Sequence, residues 1–255
     1  MSDLKLGKLP SAPRPTDFKF ADFAATIQLP TVPSRFGHGS AYSDWGMLGN
    51  DRYGDCVWAG AAHEHMLINK VVHHVDVPFD DNSVLGDYSA CTGFDPNDPS
   101  TDNGTDVHVA LSYRRKTGIA DSNSKRHQIG AYVSLDPKNW QHLEQAAYIF
   151  GVVGIGIEFP ASAMDQFNSG EPWDVVPGAK IEGGHYIPTV GSLQASNQVT
   201  VLTWGKHQVM TQAFYEQYND EAWVYITQEE LSGNGTGLHG FDVAKLNSYL
   251  SALLN

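Results

Sequence analysis

Cys56 and His185 are the two residues whose types and settings suit covalent catalysis. Cys56 follows the turn-forming segment GNDRYGD and begins CVWAGAAHEHMLINK, whose apolar spacing predicts a buried helix to about Lys70. The unpaired amides and the dipole at a helix start favour a thiolate, so we expect a lowered pKa for Cys56. His185 stands behind Gly183 and Gly184 at the beginning of a predicted strand, and glycines let another element approach closely. This pattern predicts a thiol nucleophile with a histidine base.

The separation between these two residues is typical of one family. It is 129 residues (185 − 56 = 129), close to the roughly 130 to 150 between the nucleophile and its partners in papain-like enzymes. The chain resembles the papain-like cysteine peptidases over about residues 45–227, which implies that Cys56 is the nucleophile and His185 its acid and base. Six residues before the cysteine, where the family has a glutamine that forms half of the oxyanion hole, this chain has Asn50. The family's tryptophan directly after the cysteine stands one position later, at Trp58.

The resemblance extends to a loop downstream of the predicted helix. The segment CTGFDPNDPSTDNGTD, which begins at Cys91, is dense in turn-forming residues and predicts a long surface loop. By the resemblance, the backbone of Gly104 and Thr105 would pair with an extended peptide substrate, as a strand edge does. The family's disulfide partner for Cys91 would lie three residues before the nucleophile, where this chain has Tyr53. Cys91 therefore lacks that partner, which agrees with a reducing compartment.

The group that should orient His185 departs from the family's pattern. The family places an asparagine before Ser-Trp-Gly, whereas this chain reads Leu202-Thr203-Trp204-Gly205. If Trp204 is aligned with the family's tryptophan, Leu202 takes the asparagine position, and leucine cannot accept a hydrogen bond. Either the Thr203 hydroxyl or nearby backbone orients His185, or the orienting group is absent. Thr203 is our candidate for this role.

The elements that would position these residues are helices first and strands later. Helices are predicted for VHVALSYRRKTGI and from Asp136-Pro137, an N-cap with proline behind it, to about Phe150. Strands are predicted for VVGIGIEF, GGHYIPTVGS, QVTVLTWG and EAWVYIT, which are rich in β-branched and aromatic residues. Between the last two, residues 206–219 have the spacing of an amphipathic helical insertion.

This order predicts an α+β class and, with the resemblance, a papain-like two-lobed fold. Residues 1–45 are rich in proline and lack a sustained period, so we expect an extended arm. Residues 46–255 would form a single papain-like domain. Its helical lobe would span about 46–130, and its β-rich, barrel-like lobe about 131–255.

Composition limits the partners and the compartment. The 255 residues include 16 basic and 29 acidic side chains, for a formal charge of -13, which disfavours nucleic acid and anionic membranes as partners. The first residues lack the apolar core of a secretory signal, and no apolar run approaches the length needed to cross a bilayer. We expect a cytoplasmic protein from a bacterium or a phage. The host cytoplasm and a virion are the alternative locations.

The sequence therefore predicts a cysteine peptidase or amidase that hydrolyses peptide or isopeptide bonds of peptide or protein substrates. The candidate catalytic residues are Cys56, His185, Asn50 and Thr203, and the candidate substrate-binding residues are Gly104, Thr105 and Trp204. We expect no cofactor and no metal, because His63 and His65, two apart on the predicted helix, face different directions.

Two alternatives stay open at the level of sequence. One is a weak or inactive papain-like fold that serves as a structural or binding component, for example of a phage particle or another assembly with protein partners. The other is a cysteine acyltransferase that resembles transglutaminases. Each candidate residue also has an ordinary structural explanation: an inert buried cysteine, a core histidine, and an asparagine that merely forms a turn.

Overall fold

Helices dominate the first half of the chain and strands the second. The computed structural model describes residues 4–227 and 238, apart from residues 13, 15, 16, 27, 194 and 195. The α-helices are α1 Phe20–Ala24, α2 Cys56–Ile68, α3 Asp81–Thr92, α4 Val107–Lys116, α5 Trp140–Phe150, α6 Ala161–Ser169 and α7 Gln212–Tyr218. The strands are β1 Arg35–Gly37, β2 Ile119–Ala120, β3 Arg126–His127, β4 Ile129–Leu135, β5 Gly154–Pro160, β6 Ile181–Leu193, β7 Gln198–Thr203, β8 Lys206–Thr211 and β9 Asn219–Thr227.

One seven-stranded antiparallel sheet forms the frame of the second half. Its strand order is β4-β9-β5-β6-β7-β8, and β1 pairs with the far end of β6. Within the described residues, β4 and β8 lie at opposite ends of this order and do not pair with each other. The α+β class is confirmed; among the described strands the sheet is not closed, so barrel-like is only a loose description of this half. Strands β2 and β3 pair with each other in a separate two-stranded sheet.

Helix α2 lies at the centre of the molecule and carries Cys56 at its first position. Every one of its residues is buried, including the polar side chains of His63, Glu64 and His65. It packs on β6, where Gly60 leaves room for the Tyr186 ring: a β-carbon at Gly60 would lie 2.7 Å from that ring. Because Tyr186 follows His185 along β6, this packing fixes the helix start relative to the histidine.

A buried ionic network holds the same helix against both halves of the fold. Arg114 of α4 donates from Nη1 to Glu64 Oε2 of α2 over 2.8 Å, and the Tyr186 hydroxyl donates to Glu64 Oε1 over 2.8 Å. A buried charge pair offsets its loss of solvent only when its geometry and hydrogen bonds are good, so shifts of these elements that break the pair are unfavourable. The network therefore fixes the relative position of α2, α4 and β6.

Three local predictions need correction. Helix α5 is capped by Asn139, whose side chain accepts from the His142 amide, and not by Asp136. Residues 206–211 form strand β8 rather than the start of a helix, because they pair with β7 in register; only residues 212–218 are helical. Helix α3 already covers Cys91, the residue where the predicted surface loop began.

The expected arm is partly structured. It contains the five-residue helix α1 and the short strand β1, and residues 4–9 run along the surface where α2 meets β6. The boundaries at residues 45 and 130 stay predictions. No helix within the described part of the chain is long and apolar enough to cross a membrane.

Candidate active site

Cys56 is buried at the first position of α2. Asp55 occupies the N-cap position, but its side chain makes no capping hydrogen bond. The thiol is 1% exposed, and this burial raises its pKa to about 12, although backbone hydrogen bonds from Tyr186 and Gly7 oppose the rise. The expected lowering of the pKa is therefore absent from this structure, because loss of solvent outweighs the favourable field of the helix start.

His185 lies on β6, opposite Ile157 of β5 in register, and is also buried. Its Nε2 lies 2.7 Å from the Thr203 hydroxyl, which makes a hydrogen bond between them. Its Nδ1 has no hydrogen-bond partner among the described residues. Burial lowers the pKa of the imidazole to about 3, so the neutral ring is favoured.

Trp204 covers one face of the imidazole. The two rings are stacked, with centroids 4.5 Å apart and an angle of 18° between their planes. Trp204 and Gly205 have positive φ angles of 46° and 68°, which match the two-residue turn that joins β7 to β8. A left-handed conformation is unfavourable for tryptophan, and the stacking gives a reason for retaining it.

The thiol and the imidazole line the same cavity. Its volume is about 10 Å³, and its lining includes Cys56, Asn50, His185, Thr203 and Trp204. Sequence positions 50, 56, 185, 203 and 204 are thus brought to one place. Because its volume is this small, the cavity has room for about one water molecule and none for a substrate.

Asn50 projects its amide toward the first residues of the chain. Its Nδ2 donates to Tyr53 O over 3.0 Å and to Lys5 O over 3.4 Å. Trp204 Nε1 donates to the same Lys5 oxygen over 3.2 Å. The Asn50 amide, which the sequence analysis assigned to an oxyanion, therefore donates to the Lys5 carbonyl of the arm in this structure.

Thr105 pairs with the arm as an extended strand. Its amide donates to Gly7 O over 2.7 Å, and its carbonyl accepts from the Leu9 amide over 3.0 Å. Lys8, between them, forms a parallel bridge with Thr105. Peptide pairing at this edge was the sequence prediction, and in this structure the peptide is the chain's own residues 7–9.

Gly104 and Gly184 allow this close passage of the arm. A β-carbon at Gly104 would lie 2.2 Å from Gly7 O, and one at Gly184 would lie 2.2 Å from Lys8 O. The carbonyl of Gly184 also accepts from the amides of Gly7 and Lys8, over 3.1 and 3.0 Å. Residues 4–9, which we call the cleft segment, thus fill the groove beside Cys56 and His185.

The sequence analysis missed the charged residues that anchor this segment. The Lys8 side chain is buried, with Nζ 2.7 Å from Asp220 Oδ2 and 3.1 Å from Glu221 Oε1. Two adjacent acidic residues before an apolar strand were the available signal, but an isolated lysine in an arm gave no reason to connect them. Trp58, which seemed displaced, has a structural role: its Nε1 donates to Thr105 Oγ1 over 2.9 Å.

The fold and the site together define a two-lobed protein with a buried thiol and imidazole at the junction of a helix and a sheet. No family model matches the sequence, and no curated protein matches it either. Solved structures do match, and all three described next are named as cysteine proteases or cathepsin precursors.

The chain is similar to xylellain, a cysteine protease from Xylella fastidiosa, at 15% identity, with a TM-score of 0.66, over 88% of this chain and 97% of that one. It is similar to procathepsin B S9 from Trypanosoma congolense at 13% identity, with a TM-score of 0.59 and 86% of each chain covered. It is also similar to digestive procathepsin L 3 from the larval midgut of Tenebrio molitor, at 12% identity, with a TM-score of 0.60, over 88% of this chain and 76% of that one. The chain has the papain-like fold, as its sequence predicted.

Proposed function

We propose that this protein is a cysteine peptidase or amidase that hydrolyses peptide or isopeptide bonds through Cys56 and His185. The observation that carries the proposal is the shared cavity of a thiol and an imidazole, with the imidazole Nε2 hydrogen-bonded to Thr203. A nucleophile, a base and a group that orients the base are the parts that such chemistry requires. The papain-like fold of the chain supports the same reaction class.

The reaction would begin once the cleft segment has left the groove. In the tautomer whose Nε2–H donates to the Thr203 hydroxyl, the lone pair of His185 is on Nδ1, which would take the thiol proton. The Cys56 sulfur then attacks the substrate carbonyl and the C–N bond breaks, while the imidazolium returns its proton to the leaving amine. Water, activated by the same imidazole, splits the thioester and regenerates the thiol.

Asn50 and the Cys56 amide would stabilise the oxyanion of both tetrahedral intermediates. Support comes from the carbonyl of Lys5, which already accepts a hydrogen bond from the Asn50 amide. Gly104 and Thr105 would pair with the substrate backbone, and Trp204 would border the bound substrate. This proposal includes a reducing, cytoplasmic setting of a bacterium or phage, in keeping with the free thiol of Cys91.

Digestion of a peptide library in heavy-oxygen water tests this proposal. Hydrolysis would place heavy oxygen in each new carboxyl end, which mass spectrometry detects. An added primary amine tests acyl transfer, because a transferase would join it to the acyl product. A library that stays intact, both with the parent chain and with a variant whose cleft segment is displaced, would overturn the proposal.

Thr203 offers a test of how His185 is oriented. We expect Thr203→Val to lower kcat by about tenfold to a hundredfold with little change in KM, because valine keeps the shape but cannot hydrogen-bond to Nε2. Thr203→Ser should restore most of the rate. A purely structural role would instead lower the thermal stability of both variants alike. Equal kcat values for Thr203→Val and Thr203→Ser would contradict the positioning role.

A binding component without turnover is the second candidate. The closed groove favours it, because residues 4–9 occupy the groove and both reactive groups are neutral. The digestion experiment separates the two candidates. A variant with an open groove and an accessible thiol that still leaves every peptide intact would support the binding role.

A further inference from the structure

Lys8 is buried in a way that is unusual for lysine. Its side chain is 0% exposed, whereas lysine side chains are almost never fully buried unless they are paired. Its Nζ lies 2.7 Å from Asp220 Oδ2 and 3.1 Å from Glu221 Oε1, and it donates to Leu9 O over 2.9 Å. The ammonium group therefore has three oxygen partners at the end of a closed pocket.

The pocket around Lys8 is shaped for a long, unbranched side chain. Gly156 of β5 forms one wall, where a β-carbon would lie 2.6 Å from Lys8 Cε. Glu221 is oriented by Trp223, whose Nε1 donates to Glu221 Oε2 over 2.8 Å. We call these surroundings, Gly156, Asp220 and Glu221, the acidic pocket. It combines close contact along the aliphatic part of the lysine side chain with two carboxylates at the ammonium group.

The acidic pocket holds two adjacent acids that need a cation. Burial raises the pKa of Glu221, and the charge of Lys8 is the main influence that opposes the rise. If Lys8 leaves, two acidic groups face each other in a partly desolvated site. A cationic side chain is the occupant that restores the balance, whereas an apolar one leaves both acids unpaired.

The position of this pocket relative to the reactive groups gives it a role in substrate choice. The Lys8 backbone pairs with Thr105 on one side and with Gly184, the residue before His185, on the other. When a strand pairs with Thr105, the side chain of the residue directly opposite Thr105 points to the same face of the ladder as Thr105. This holds for both parallel and antiparallel strands. Any extended peptide that replaces the cleft segment would therefore direct one side chain into this pocket.

We propose that the acidic pocket binds the lysine or arginine side chain of peptide substrates, and that Asp220 and Glu221 determine this preference. The inference rests on the proposed peptidase function of the same site. It identifies the substrate class as peptides with a basic residue at the position opposite Thr105. Lys8 occupies the pocket as an internal ligand, in competition with that residue.

The experiment uses the full chain with Lys8→Ala, which leaves the pocket unfilled. This variant digests a peptide library, and the residues around each cleaved bond are counted. We expect lysine and arginine to be enriched at one fixed distance from the bond. Adding Glu221→Gln should reduce the preference for basic over neutral residues by about tenfold or more. Asp76→Asn is the matched control, because Asp76 pairs with Lys70 at the exposed surface.

The outcomes separate this inference from the proposed function. Cleavage without basic enrichment overturns the pocket assignment and leaves the peptidase intact. Asp220→Asn, whose side chain is 21% exposed, replaces Glu221→Gln if the latter does not fold by circular dichroism. The assignment is also overturned if the basic enrichment with Glu221→Gln or Asp220→Asn is as large as that with the Asp76→Asn control.

A binding measurement decides the case in which no peptide is cleaved. A fluorescent peptide of residues 4–12, LKLGKLPSA, is titrated with the Lys8→Ala chain, beside the same peptide with norleucine in place of its second lysine, Lys8. Binding of the lysine peptide about tenfold tighter, lost with Glu221→Gln, supports the acidic pocket without any turnover. Equal binding of the two peptides, or none up to about 1 mM, overturns it.

Discussion

His185→Asn is expected to lower kcat/KM for peptide hydrolysis by about 10⁴-fold or more, the loss seen when a nucleophile is deprived of its base. Asparagine has no titratable nitrogen, so it cannot take the thiol proton or return it to the leaving amine. Cys56→Ala should cause a loss of similar size, and the double variant should lose no more than either single one, because the two groups act as a unit. The rates are measured on one peptide taken from the library.

His74→Asn is the matched control for this variant. His74 is exposed and has a positive φ of 57°, a conformation that asparagine tolerates, so the same substitution leaves the site untouched. Near-parent activity is expected for it. Circular dichroism and thermal unfolding check that His185→Asn is folded. A folded His185→Asn variant that retained more than about a tenth of the parent rate would contradict a base at this position.

Gly7→Ala is expected to displace the cleft segment and expose Cys56. A β-carbon at Gly7 would lie 1.8 Å from Gly54 O, and backbone at that place cannot give way. Such overpacking disfavours the bound segment by about tenfold to a hundredfold. We therefore expect Cys56 to react with iodoacetamide about tenfold to a hundredfold faster, and peptide hydrolysis to rise in parallel.

The pH dependence of this alkylation has a definite sign. Burial raises the pKa of the Cys56 thiol to about 12, so solvent entry must lower it and shift the onset of alkylation to lower pH. Cys91 is a partly buried free cysteine of helix α3 and provides the internal reference in the same mass spectrum. Gly86→Ala is the matched variant, since a β-carbon at Gly86 meets nothing within 4 Å. A Cys56-to-Cys91 labelling ratio unchanged by Gly7→Ala would show that the segment does not control access.

Several parts of the fold were readable from the sequence because they depend on local pattern. The apolar run after Cys56 predicted helix α2, and the β-branched segments predicted β5, β6, β7 and β9. Strand β8 was not readable, since its residues have an amphipathic helical spacing that pairing with β7 overrides. The cap of α5 was misplaced by three residues, because Asp136-Pro137 and Asn139 are equally plausible starts until the packing is known.

The sequence by itself determined the candidate catalytic residues and their order. Cys56, His185 and Asn50 could be singled out because their chemistry and spacing are properties of the chain. Thr203 was one of several options for the group that orients His185. In the structure its hydroxyl contacts Nε2, and the β7–β8 turn at Trp204 and Gly205 stacks Trp204 on the imidazole.

What only the tertiary structure decided is the state of the site. The cleft segment lies about 50 residues before Cys56 in sequence, and Asp220 and Glu221 lie more than 200 residues after Lys8, so no local pattern connects them. Burial in the folded chain raises the pKa of the Cys56 thiol, the opposite of what a helix start alone predicts, and it lowers the pKa of the His185 imidazole. The candidate residues are therefore readable from the sequence, whereas their burial depends on long-range packing.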